Sequence, residues 1–125
     1  MDRARFEELV AEAVAGLPAD FCSRLENVDV VVEEWPSQRH LDSTRLKRGH
    51  TLLGLYQGVP LTRRGRGYGL VAPDKITIFQ KPIEAQCRNE AEIKDRIQRV
   101  VRHEIAHHFG TGEARLAQLE RGEEP

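Results

Sequence analysis

His103 and His107 stand four residues apart in Val100-Val101-Arg102-His103-Glu104-Ile105-Ala106-His107-His108-Phe109-Gly110, with Glu104 directly after the first histidine. On an α-helix, positions i and i+4 share a face, so these two imidazoles can be offered to one metal ion. Glu104 lies about 100° around the helix from His103, near enough to hold and deprotonate a water bound at that metal. The constellation, H-E-x-x-H, is one for metal-assisted hydrolysis. A shuffled chain with this histidine and glutamate content would contain it about 2% of the time, so the elements around it must carry part of the argument.

The pattern around the motif predicts one long helix. Asn89 followed by Glu92 resembles a capping box, and the helix it opens runs through Ile93, Ile97, Val100, Val101 and Ile105 to His108 or Phe109. That apolar stripe lies beside the histidine face and turns the histidines inward. Gly110 is the expected left-handed terminator, and it allows the following segment to swing a further ligand back. Thr111 can cap a last helix from Gly112 to about Glu120.

Three strands are expected. Val28 to Trp35, rich in β-branched residues and ended by Pro36, reads as buried. Lys75 to Gln80 alternates Ile76 and Ile78 with Thr77 and Phe79, so both faces can be covered, and Lys81-Pro82 stops it. Thr51 to Thr62 contains Gly54, Gly58 and Pro60, which suit an edge strand. That edge is either an ordinary one blunted by proline or one on which an extended peptide pairs; pattern alone favours the first. Phe6, Leu9, Val10, Ala13, Val14 and Leu17 predict an amphipathic helix from Asp2 to Gly16, and Pro18-Ala19-Asp20 restarts a short one with Phe21 and Leu25. Pro36 to Gly49 is polar and turn-rich. His40 in it and His50 just beyond are candidate ligands from outside the helix, though loop histidines are usually only solvated.

The whole chain sets the bounds. Its 125 residues suffice for one α+β domain with a real core, residues 1–125 without internal repeat or linker. A formal net charge of -1 supplies no field that would favour nucleic acid or an anionic membrane. Arg63, Arg64 and Arg66, with Tyr68, form one basic glycine-rich loop; so short a patch releases few counterions, which argues against nucleic acid. Cys22 and Cys87 form no metal or redox spacing. No signal peptide and no membrane-length apolar run is seen, so the default is a cytoplasmic monomer with no membrane partner.

His103-Glu104-x-x-His107-x-x-Gly110-x-x-Glu113 resembles the metal-binding motif of zincin metallopeptidases, with an acid where metzincins have a third histidine. The chain is more closely similar to the minimal single-domain zincin-like family of bacterial metallopeptidases. That resemblance extends to Val31-Val32-Glu33-Glu34-Trp35-Pro36, Leu53-Gly54-Leu55-Tyr56-Gln57-Gly58, Ile76-Thr77-Ile78-Phe79 and His107-His108-Phe109-Gly110. It implies a small twisted mixed sheet of three to four strands, packed with the N-terminal helices and an active-site helix. It implies Zn2+ as cofactor, His103 and His107 as ligands with Glu113 as the third, and Glu104 as general base on a metal-activated water attacking a peptide bond. It also gives Gly54, Leu55, Tyr56 and Gly58 to the substrate backbone, reversing the pattern-only preference. The partner is then a peptide or protein substrate. Glu113 has a rival role, because acids are favoured in the first turn of a helix anyway. Tyr56 and Tyr68 are candidate donors to an oxyanion. His108, one residue past His107, points elsewhere. Met1 is the sole methionine, so no methionine turn is expected, and no second subdomain is expected to wall the cleft. That absence motivates the alternative, a zinc-binding interaction module with little or no turnover.

Overall fold

The computed structural model describes residues 1–44, 51–58 and 73–108. At its centre is β3, Asp74–Phe79, in which Ile76, Thr77, Ile78 and Phe79 are all fully buried. Successive strand residues point to opposite faces, so burial of all four means that both faces are covered. β1, Val28–Glu33, runs parallel to β3 with Val30 opposite Ile76 and Val32 opposite Ile78. β2, Gly54–Gln57, runs antiparallel on the other side, with Gly54 opposite Ile78 and Tyr56 opposite Ile76. The order β1-β3-β2 makes a small mixed sheet and leaves β2 on an edge, as its glycines predict.

This register puts Val30, Val32, Gly54, Tyr56, Ile76 and Ile78 on one face. The cluster built there joins Phe6, Leu9, Val10 and Ala13 of α1 (Arg3–Ala15) and Phe21 of α2 (Ala19–Arg24) to Ile93, Ile97, Val100, Val101 and Ile105 of the long helix. Each such side chain taken from water contributes about 1.5–3 kcal/mol, so this cluster is what holds the long helix on the sheet. At the outer edge of β1 the Arg3 guanidinium of α1 donates to the Val32 carbonyl.

The opposite face carries a helix that the pattern did not reveal. α3, Gln38–Asp42, lies in the segment expected to be a loop. Ser37 Oγ accepts from the His40 N–H at 3.2 Å, and the Ser37 N–H donates back to His40 Nδ1 at 3.0 Å. This is a capping box with histidine in place of the usual Glu or Gln, hence invisible to a search for an acid at that position. The His40 ring meets Phe79 edge-on at 5.1 Å, and its Nε2 lies 3.3 Å from Glu33 Oε2. His40 therefore supports the far face and is not a ligand from outside the helix. His50 lies outside the described residues.

α4, Gln80–Ala85, follows β3 without a loop. Lys81-Pro82 does stop the strand, but a proline in the first turn of a helix sacrifices no intrahelical bond, so the same residues also open α4. The long helix is α5, Glu90–His108. Asn89 caps it, its Oδ1 accepting from the Glu92 N–H at 2.9 Å, while the Glu92 carboxylate accepts from the Arg88 N–H at 3.0 Å. Arg5 grips Glu90 through two hydrogen bonds of 3.1 and 2.7 Å, tying the start of α5 to α1. Among the described residues no helix is long and apolar enough to cross a membrane. The Gly110 terminator, the last helix from Gly112, and the basic segment Arg63 to Tyr68 fall outside the described residues.

Candidate active site

His103 and His107 sit one turn apart on α5, and their ring centroids are 4.5 Å apart. Two imidazoles at that separation are a donor pair that suits a divalent metal of the zinc type. Among the described residues no third His, Cys, Asp or Glu joins them. Glu113, the candidate third ligand, lies outside the described residues. The donor chemistry thus fits a metal as far as the helix itself supplies it.

β2 lies against α5 and the two run in the same direction. A Cβ placed on Gly54 would come within 2.4 Å of Val100 Cγ1, so only glycine lets the strand approach the helix this closely. Two residues further along the strand, the Tyr56 N–H donates to Glu104 Oε1 at 2.9 Å. The Tyr56 ring then stacks on His108, centroids 3.9 Å apart and planes 16° from parallel. At Gly58 a Cβ would lie 3.4 Å from His108 Cε1. The match has a simple metric: four strand residues and eight helix residues both advance roughly 12–14 Å.

Strand parity decides which backbone groups face outward. The Phe79 N–H donates to the Leu53 carbonyl at 3.0 Å, so Leu53, Leu55 and Gln57 direct their amides and carbonyls to β3. Gly54 and Tyr56 direct theirs to the outer edge, where Glu104 takes the Tyr56 amide. Of the residues expected to meet a substrate backbone, Gly54 and Tyr56 therefore border the edge itself, Leu55 is engaged inward, and Gly58 continues the line.

Burial holds the Glu104 carboxyl above the ordinary carboxylate range, opposed by the Tyr56 N–H and by His103 and His107. A base raised in this way retains a proton more readily than a solvated glutamate, which suits a group that must take one up and give it back. Among the described residues its Oε2 has no hydrogen-bond partner. The Tyr56 hydroxyl, considered for the oxyanion role, donates to Asp74 Oδ2 at 2.7 Å. Tyr68 is outside the described residues.

Two hollows meet at Glu104. One of about 400 Å³ is lined by Thr51, Gly54, Arg96, Arg99, His103 and Glu104 among others. The other, of about 530 Å³, includes Ser43, Thr44, Tyr56, Glu104, His107 and His108. Together they form a trough with α5 as floor and β2 as wall. Asp74, His108, Arg96 and Arg99 were not singled out from the sequence as site residues. For Asp74 there was no signal beyond a turn. For the arginines there was one: positions 96, 99 and 103 follow helical spacing on the histidine face.

A mixed sheet with an edge strand laid along a helix bearing H-E-x-x-H is a zincin-like architecture. The family model for zincin-like metallopeptidases matches residues 25–123, and the chain belongs to that family. Among solved structures it is similar to a conserved hypothetical protein from Thermus thermophilus. The TM-score is 0.53 and the identity 19%, over 87% of this chain and 94% of the other, a likeness of fold. No curated protein matches it.

Proposed function

We propose that the protein is a zinc-dependent peptidase whose cleft is the trough between β2 and α5. One observation carries the reading: the helix that bears His103 and His107 also bears a half-buried carboxylate, Glu104, which accepts the outward-facing N–H of Tyr56 on the edge strand. His103 and His107 would hold the zinc, with Glu113 as the third ligand. When bound, zinc supplies Lewis acidity, which acidifies water and polarises a carbonyl.

The chain's own residues do the rest. Glu104 Oε1 is fixed by the Tyr56 amide, which leaves Oε2 to accept a proton from water and return it to the leaving amine. An extended peptide would align on the outer edge of β2 beside Gly54 and Tyr56, bringing one carbonyl over the histidine face. Replacing Glu104 by Gln retains an acceptor for Tyr56 but removes the proton acceptor.

The test is elemental analysis of gently purified protein together with peptide hydrolysis before and after chelation. One zinc per chain, lost in His103→Ala and His107→Ala, with hydrolysis that vanishes on chelation and returns with zinc, is the expected result. Zinc without hydrolysis of any member of a broad peptide library would contradict it and favour a zinc-stabilised binding module. Hydrolysis unaffected by chelation would contradict both.

A further inference from the structure

We propose that Arg96 and Arg99 form a carboxylate-binding subsite of the trough, so that the preferred ligand is an extended peptide with a carboxylate two to three residues from the cleaved bond. The proposal rests on reading the trough as a peptide cleft. Both arginines line the hollow that also holds Gly54, His103 and Glu104. Arg96 donates to the amide oxygen of Gln86, a neutral partner rather than an acid. Arg99 is exposed, and among the described residues neither arginine makes an ion pair. Asp95, one turn before Arg99, is the acid placed to neutralise it, yet the two do not pair.

Surface arginines are ordinarily solvated and carry no such meaning. Here two of them share a concave wall with the proposed catalytic group, on the same helical face and at regular spacing. Arg99 precedes His103 by four residues and Arg96 by seven, about 6 and 10 Å along the axis. An extended peptide advances about 3.3 Å per residue, so these distances correspond to two and three residues. Because β2 and α5 run in the same direction, the subsite lies at the end of the trough bordered by Thr51 and Gly54. A guanidinium binds a carboxylate through paired, charge-assisted hydrogen bonds, and two arginines can share one. The carboxylate can belong to an Asp or Glu side chain or to the peptide's own C terminus.

The test uses the full chain, zinc-loaded, and short peptides differing only in one carboxylate. Binding of labelled peptides to Glu104→Gln is read by fluorescence anisotropy, and cleavage by the wild-type protein is located by mass spectrometry. A carboxylate at the right distance should tighten binding roughly tenfold or more, and Arg96→Gln with Arg99→Gln should remove that gain while neutral peptides bind as before. Arg99→Glu should shift the preference to a lysine-bearing peptide, a change that a merely unfolded protein cannot produce. Amidated peptides with an internal Glu separate a side-chain ligand from a terminal one. Equal binding of acidic and neutral peptides, or a preference that survives the double substitution, overturns the subsite. Carboxylate-dependent binding without hydrolysis keeps the subsite and rejects the peptidase, whereas hydrolysis indifferent to charge does the reverse.

Discussion

The Tyr56 backbone N–H donates to Glu104 Oε1 at 2.9 Å, so the edge strand and the proposed base are bonded to each other. The bond makes Glu104 a structural acceptor as well as a chemical group. Glu104→Gln keeps an acceptor and removes a carboxylate that burial disfavours, so in metal-free protein its melting temperature should equal or exceed that of the wild type. Glu104→Ala leaves the amide unpaired and should cost about 1–3 kcal/mol. Chemical denaturation of both variants checks the difference, and equal loss in both would show that the bond contributes nothing.

Gly54 is the contact that admits the strand to the helix. Gly54→Ala places a methyl within 2.4 Å of Val100 Cγ1 and 3.3 Å of the Thr77 carbonyl. Overpacking of this kind should cost about 1–3 kcal/mol. In combination with Val100→Ala the loss should be smaller than the sum of the two single losses, because the second substitution makes the room the first needs. Additive losses in a double-mutant cycle would mean that β2 does not lie against Val100.

Metal should stabilise the fold through the histidine pair. Zinc at a hundredfold excess over its dissociation constant raises stability by about 2.7 kcal/mol, and the melting temperature should climb with zinc concentration. His103→Ala and His107→Ala should each flatten that dependence. An unchanged dependence in either variant would place the ion elsewhere.

The Arg5–Glu90 pair gives a pH dependence of known sign. Its hydrogen bonds to Arg5 hold the Glu90 carboxyl below its ordinary range. The unfolded chain therefore protonates first as the pH falls, so the contribution is complete above the ordinary carboxylate range and is lost as the pH falls below it. Glu90→Gln should melt slightly lower than wild type at neutral pH, and the gap should close in strong acid. The pair is exposed, so the effect is small. A gap that widens in acid would contradict the assignment.

Much of this arrangement is legible in the residues themselves. The four-residue spacing of His103 and His107 and the stripe of Ile93, Ile97 and Val100 announce α5 and its face, because helical periodicity is local. The alternation of Ile76 and Ile78 with Thr77 and Phe79 announces a strand covered twice. Gly54 and Gly58 mark an edge approached by other groups, but only the fold reveals Val100 and His108 as those groups. α3 was hidden because its cap uses His40 where an acid is customary, and α4 because a proline that ends a strand can equally begin a helix. Asp74 meets Tyr56 through the pairing of β2 with β3, which no local pattern encodes. Glu113 and Tyr68 lie outside the described residues.

The most direct test of the proposed chemistry compares peptide hydrolysis by wild-type protein and Glu104→Gln at equal zinc content, with both shown by circular dichroism to be folded. The account predicts that the substitution lowers kcat/KM by about 10²–10⁴-fold while zinc binding and melting temperature are retained. Equal cleavage by the two proteins would contradict it.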